Sequence, residues 1–200
     1  MKKRIREVPI EISSRHVHLT KAHVQKLFGR ADVLRKVRRI SQLGQFLCTQ
    51  RVTLSNPFFT LPNVGIVGPE RSKTQVELAI TDARAFKISA PVRSSGDVAV
   101  SSGGITLHGP KGSIALQSGV IVIRRHIHAS LLSAKRYGVR DGQTVLVRIR
   151  NPHGVRDVTL HDVEVRVRSD FKWALHLDTD EGNACGVGPK SRAEIMDAPS

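Results

Sequence analysis

The chain is poor in aromatic residues, which make up 4% of its 200 positions, with a single Trp173 and a single Tyr137. Proteins that follow a nucleic-acid strand stack successive bases on aromatic faces, so specific single-strand readout is disfavoured. Cysteine is equally scarce, with only Cys48 and Cys185, far apart in the chain. That usage excludes a disulfide-stapled secreted scaffold and makes a reducing cytoplasm the expected compartment. No apolar run approaches a membrane span, and the basic lead Met1 to Arg6 is not followed by the apolar stretch of a signal peptide. Acidic residues number 17 against 32 Lys and Arg, giving a formal net charge of +15. The expected partner is therefore an anion.

Hydrophobic residues make up 40% of the chain and charged residues 24%. This is enough apolar material for a core and excludes a wholly disordered chain. The length suits one compact domain or two small ones. Val8 to Ile12 reads as a strand ending at Ser13-Ser14. Thr20 is placed to cap a helix running to Phe28, with Gly29 as its stop. From Arg30 to Ile40 the charges of Arg30, Arg35, Lys36, Arg38 and Arg39 predict an exposed segment that helps to hold anions.

Beyond Phe46, short runs of Val, Ile, Leu and Thr alternate with turn signals such as Asn56-Pro57, Gly68-Pro69 and Gly103-Gly104. This punctuation predicts a mainly β architecture of the barrel kind. A second helix is expected over Ala129 to Tyr137, closed by Gly138. Strands are expected over Thr144 to Arg150 and Val155 to Val167, with a loose tail from Pro189 on. Arg15-His16-Val17-His18 recurs as Arg125-His126-Ile127-His128, each time after a β-branched run and before a helical pattern. The echo favours two similar halves over one large sheet.

In an extended chain residues i and i+2 share a face, so each His-x-His sets two imidazoles side by side. Neutral imidazole is a common zinc ligand, and two pairs offer four nitrogens for one closed site or two open ones. A single such pair is more often structural; two copies in matching contexts favour metal. His176, followed by Asp178-Thr179-Asp180-Glu181, is a further potential donor, while Asp178 or Thr179 can also cap a helix with Glu181 in its first turn. Arg71, Ser72 and Lys73 form a basic loop suited to gripping a phosphate. Gly109-Pro110-Lys111-Gly112-Ser113 lacks the spacing of a Walker loop and reads as a hairpin turn. No Gly-x-Ser-x-Gly elbow is present, and neither cysteine has a nucleophile motif.

These motifs together give the chain a likeness that covers nearly its whole length. Ser14-Arg15-His16-Val17-His18-Leu19, Gly44-Gln45-Phe46, Gly68-Pro69-x-Arg71 with Thr74-Gln75-Val76-Glu77, Pro91 to Gly96, Arg125 to His128 and His176 to Glu181 carry it. On them the sequence resembles the PduL-type phosphate propanoyltransferases, metal-dependent phosphotransacylases associated with bacterial microcompartments.

The resemblance implies two small β-barrel domains capped by short α-helices, residues 15–123 forming the first and 4–14 with 124–190 the second, leaving 191–200 as tail. It implies two zinc ions where the domains meet, one on His16, His18 and Glu77 and the other on His126, His128 and His176, with Arg71 as the catalytic, phosphate-binding arginine. The implied reaction is reversible transfer of a propanoyl or acetyl group between coenzyme A and orthophosphate, giving acyl phosphate and free coenzyme A. The implied assembly is a homodimer, with association to a microcompartment shell. The basic lead does not resemble an encapsulation peptide, so a cytoplasmic enzyme, or one recruited to a shell by other means, is expected. Neither a membrane nor nucleic acid is the expected partner.

Two departures from the family pattern stand out. Ser55 to Asn63 replaces a Gly-Pro-Lys-Gly-type turn, where coenzyme A contacts are expected. Gly182-Asn183-Ala184 replaces an Ala-Asn-Ala run, and Gly182 is expected to weaken its helix. The alternatives to the enzyme are a basic nucleic-acid-binding β-barrel protein with a structural metal, argued from charge, and a catalytically silent scaffold of the same fold.

Overall fold

The computed structural model describes residues 6–151 and 157–196. In chain order it contains β1 (Glu7–Val8), β2 (Ile10–Ile12), β3 (His16–His18), α1 (Lys21–Phe28), β4 (Lys36–Arg39), β5 (Phe46–Ser55), β6 (Thr60–Gly68) and β7 (Gln75–Leu78). Then follow α2 (Ile80–Ala85), β8 (Val92–Arg93), β9 (Ile105–His108), β10 (Ser113–Leu116) and β11 (Val120–Ile123). The rest is β12 (His126–Ala129), α3 (Leu131–Tyr137), β13 (Thr144–Arg150), β14 (Val158–Val167), β15 (Ala174–Leu177), α4 (Thr179–Ala184) and β16 (Arg192–Met196). The protein is mainly β with short helices, as its turn punctuation predicts.

The chain divides into two compact units. The unit of Ser14–Ile40 and Gly44–Arg124 curls a 9-stranded sheet, ordered β10-β9-β5-β6-β3-β7-β11-β8 with β4 beside β5. Alternation along β5 and β9 sends Val52, Leu54, Ile105 and Leu107 inward against Val17, Ile66, Val76 and Phe86. Each such side chain contributes about 1.5–3 kcal/mol by leaving water. Helix α1 forms where its caps predict: the Thr20 hydroxyl accepts from His23 N, and Gly29 turns left-handed at φ 78. Its buried Val24 and Leu27 seat it on the sheet. The basic stretch contains β4, exposed along its whole length. Its cations sit on a sheet edge, where they discourage pairing with another chain. Gly109 to Ser113 forms the predicted hairpin turn, Gly109 N donating to Gly112 O at 2.9 Å.

The second unit takes the chain up to Ser13, Ser41–Leu43 and everything from Arg125 on. Its 7-stranded sheet runs β1-β16-β13-β14-β12-β15-β2. The two outermost strands, β1 and β2, are neighbours in the chain with only Pro9 between them. Proline cannot donate to a ladder, so the strand expected over Val8 to Ile12 is cut there. One half pairs with β16 and the other with β15, drawing the two edges of the sheet together into a barrel. Pro9 itself accepts from Leu175 N at 2.8 Å.

Two expectations are corrected in this unit. The tail assigned to 191–200 contains β16, whose buried Ala193 and Ile195 pack in the core and whose residues pair with β13; residues 197–200 lie outside the described residues. The helix expected from Ala129 starts at Leu131, because Ala129 ends β12 and the Ser130 hydroxyl caps by accepting from Ser133 N. Helix α4 forms despite Gly182; a Cβ there would lie 2.5 Å from Ile12 Cδ1, the end of an exposed side chain that can turn aside. The strand expected from Val155 is observed from Val158; Val155 and Arg156 lie outside the described residues.

The two units share one strand pattern. In the first, β6 lies parallel to β3, β3 antiparallel to β7, and β7 parallel to β11. In the second, β14 lies parallel to β12, β12 antiparallel to β15, and β15 parallel to β2. The strand leading into each His-x-His is exchanged: β2 precedes β3 but pairs with β15, while β11 precedes β12 but pairs with β7. At the head of β11, Gly119 has φ +100, and a Cβ would meet Thr74 O at 2.5 Å. Gly119→Ala is therefore expected to destabilise the protein by about 2–4 kcal/mol, read as a lower urea midpoint. An unchanged midpoint would contradict this packing.

Candidate active site

Strand register explains how the predicted donors meet. On β3 and β7 His16 stands opposite Glu77, and His18, two residues on, lies on the same face. On β12 and β15 His126 stands opposite His176, with His128 two residues on. In each group the candidate ligand atoms lie within 4.8 Å of one another. Among the described residues these are the two groups of three or more His, Cys, Asp or Glu able to hold a metal ion.

Donor chemistry fits zinc. His16 Nδ1 and His18 Nδ1 face backbone carbonyls, Ser14 O at 2.9 Å and Val67 O at 3.0 Å. A carbonyl only accepts, so in the neutral rings both protons sit on Nδ1 and both lone pairs on Nε2. The two Nε2 atoms converge to 3.2 Å, and Glu77 Oε2 and Oε1 lie 3.5 Å from His16 Nε2 and His18 Nε2. Zinc bonds of about 2.0–2.1 Å in a tetrahedron require donors about 3.3 Å apart. In the second group His126 Nε2 and His128 Nε2 approach to 3.1 Å, and His126 stacks on His176 with ring centroids 5.0 Å apart. Apposed lone pairs repel unless a cation or a proton lies between them.

Protonation states follow from the surroundings. Burial lowers the pKa of His18 from 6.5 to about 4, helped by His16 and Arg71 and opposed by Glu77. Burial, then His126, His176, Arg166 and Arg168, push His128 down in the same direction. Burial alone would raise Glu77, but the adjoining His16 and His18 and the hydrogen bond from Ser95 outweigh it and hold the carboxylate ionised. His18, His128 and Glu77 are thus neutral or anionic donors near neutral pH.

Outer contacts repeat as well. Arg15 Nε bonds Asp82 Oδ2 at 2.8 Å, and Arg125 Nη1 bonds Glu181 Oε1 at 2.9 Å. Each arginine directly precedes a His-x-His, and each carboxylate belongs to the first turn of the helix after the opposing strand. Asp178 caps α4, its carboxylate accepting from Glu181 N at 2.8 Å. Burial raises its pKa to about 6.

Of the basic loop, Arg71 belongs to the first group's surroundings. Its backbone N–H donates to Leu19 O at 2.8 Å, Nη1 to Ser95 Oγ at 3.1 Å and Nη2 to Gln45 Oε1 at 3.4 Å. Ser72 is exposed, and Lys73 lines a cleft of about 350 Å³ with His23, Thr74 and Gln117 that includes none of the ligand residues. Gln75 and Ser95 have no local signal of function, and only their tertiary hydrogen bonds to Glu77 and Arg71 single them out. In the altered turn, Asn56 Oδ1 accepts from Phe58 N and Phe59 N, and Lys87 Nζ lies 4.5 Å above the exposed Phe58 ring.

A family model described as phosphate propanoyltransferase matches residues 9–188. The chain belongs to the phosphate propanoyltransferase family. Its relatives include the phosphate propanoyltransferase of Alkaliphilus metalliredigens, 43% identical over 95% of this chain and 88% of that protein. Those of Listeria monocytogenes, 42% identical over 94% and 87%, and Shewanella putrefaciens, 44% identical over 96% and 90%, are similar over comparable spans. All six candidate ligands and Arg71 fall inside the region matched to the family. No helix among the described residues is long and apolar enough to cross a membrane.

Burial has a measurable consequence in metal-free protein. An unfolded histidine takes up a proton near 6.5, whereas folded His18 does so near 4 and His128 lower still. Stability is therefore present above 6.5 and lost as pH falls toward 4. Asp178 opposes this below its raised value, but with one carboxyl against two imidazoles. The urea midpoint of metal-free protein is expected to be lower at about pH 5 than at about pH 7. A midpoint that held or rose would show that these rings are not buried neutral.

Proposed function

We propose that this phosphate acyltransferase moves a propanoyl or acetyl group reversibly between coenzyme A and orthophosphate. One zinc ion would be held by His16, His18 and Glu77 and a second by His126, His128 and His176. What supports the reading, beyond family membership, is the repeated register that brings three donors within 4.8 Å in each group. A triad of two histidines and a carboxylate and a triad of three histidines each leave a coordination position for substrate, as catalytic zinc requires.

In the forward reaction a phosphate oxygen attacks the thioester carbonyl, the carbon–sulfur bond breaks, and coenzyme A leaves as thiolate. Bound zinc would supply a Lewis acid for the carbonyl and a soft site for sulfur. The chain's own part is placement. Arg71, held by Ser95 and Gln45, offers a planar cationic fork matched to phosphate oxygens. Ser14 O and Val67 O keep the His16 and His18 lone pairs on Nε2. The net charge of +15 favours encounter with coenzyme A and phosphate, both anions. The nucleic-acid reading rested on that same charge and is not favoured beside the family match.

Purified protein given propanoyl-CoA or acetyl-CoA is expected to release free thiol only with phosphate and to stop after metal is stripped by a chelator. Thiol release indifferent to both would sink the proposal. Arg71→Ala is expected to raise KM for phosphate at least about tenfold, as loss of a charged hydrogen-bonding partner does, with a smaller effect on KM for acyl-CoA. His126→Ala is expected to lower bound zinc from two ions per chain to one, counted by elemental analysis.

A further inference from the structure

We propose that Ser95 is a positioning residue that joins Arg71 to the Glu77 carboxylate, so that the phosphate-binding and metal-binding parts of the first group are placed by one hydroxyl. The proposal rests on the functional reading above. Ser95 follows β8 in a turn clamped from two directions. Gly96 N donates to Gln75 Oε1 at 2.9 Å, and Asp97 N donates to Ser94 O at 3.0 Å. Gly96 adopts φ 96, a left-handed conformation that glycine enters without strain.

The direction of the Ser95 proton follows from its partners. Arg71 Nη1 at 3.1 Å and Gln75 Nε2 at 3.2 Å can only donate to it, so they occupy oxygen lone pairs. The hydroxyl proton therefore points to Glu77 Oε1, 2.6 Å away. Gln75 Nε2 donates to the same Oε1, and Gln75 is itself fixed because its own carbonyl accepts from the turn. Oε1 is engaged twice and lies 3.5 Å from His18 Nε2, so Oε2, at the same distance from His16 Nε2 and outside those two bonds, is the oxygen that would face a metal. A bond between a hydroxyl and an ionised carboxylate is among the stronger protein hydrogen bonds, and outer partners of this kind orient metal ligands.

Thr and Val share shape and differ in the hydroxyl, so Ser95→Thr and Ser95→Val isolate its role. In chelator competition on zinc-loaded protein, one of the two ions of Ser95→Val is expected to leave about 10–100-fold more readily, the other as in the unaltered protein. KM for phosphate should rise about tenfold while KM for acyl-CoA changes little, because Arg71 has lost an acceptor. Ser95→Thr should stay close to the unaltered protein in all three readouts. Ser95→Ala provides the same comparison if Val lowers the melting temperature. Variants lacking the hydroxyl that match Ser95→Thr in zinc release and phosphate KM would overturn the proposal. Unaltered protein that takes up no zinc or turns over no substrate would instead defeat the functional reading beneath it.

Discussion

Both candidate groups depend on cross-strand register. A His-x-His strand shows two imidazoles on one face, and an antiparallel neighbour supplies the third donor directly opposite the first histidine: Glu77 opposite His16, His176 opposite His126. A slip by a single residue would turn Val17 or Ile127 toward the donors and the imidazoles away. Registers this demanding are held by burial on the other face. Val17, Val76, Ile127 and Leu175 are all fully buried, so a slip would also expose core.

Holding titratable groups inside such a structure has an electrostatic price, and the surroundings show how it is met. Backbone carbonyls take the Nδ1 protons of His16 and His18, burial keeps His18 and His128 neutral, and Ser95 and Gln75 bond the Glu77 carboxylate. The Arg15–Asp82 and Arg125–Glu181 pairs brace each His-x-His against the helix after its opposing strand. The same device occurring twice, with the same order of parallel and antiparallel neighbours, makes the four-residue echo in the sequence the visible trace of two equivalent halves. Only the lead-in strands β2 and β11 pair in the opposite unit, while the flanking strands of each His-x-His stay in its own.

Features with local causes were legible. Thr20 and Gly29 delimit α1, Gly138 ends α3, and Gly109 to Ser113 makes a hairpin turn, because caps and turns are decided within a few residues. Others had no local signal. Helix α2 begins after Ala79, which offers no capping side chain. Strand β16 shows only a five-residue alternation, Arg192–Met196, and its place beside β13 gives Ala193 and Ile195 a core to enter. Pro9 sits within the run read as one strand, yet it divides the segment whose halves lie on the two edges of one sheet.

By itself the sequence determined that two like His-x-His pairs each set their imidazoles on one face, since that spacing works at the two-residue period of any extended chain; Glu77 joined them only through the family resemblance. It also determined the excess of positive charge and, through its motifs, the family. Only the tertiary structure decided which proton His16 and His18 keep, which strand lies opposite which, and that one serine hydroxyl lies between Arg71 and Glu77. Those are contacts between residues far apart in the chain, and they exist only once closure of the sheets has set the register.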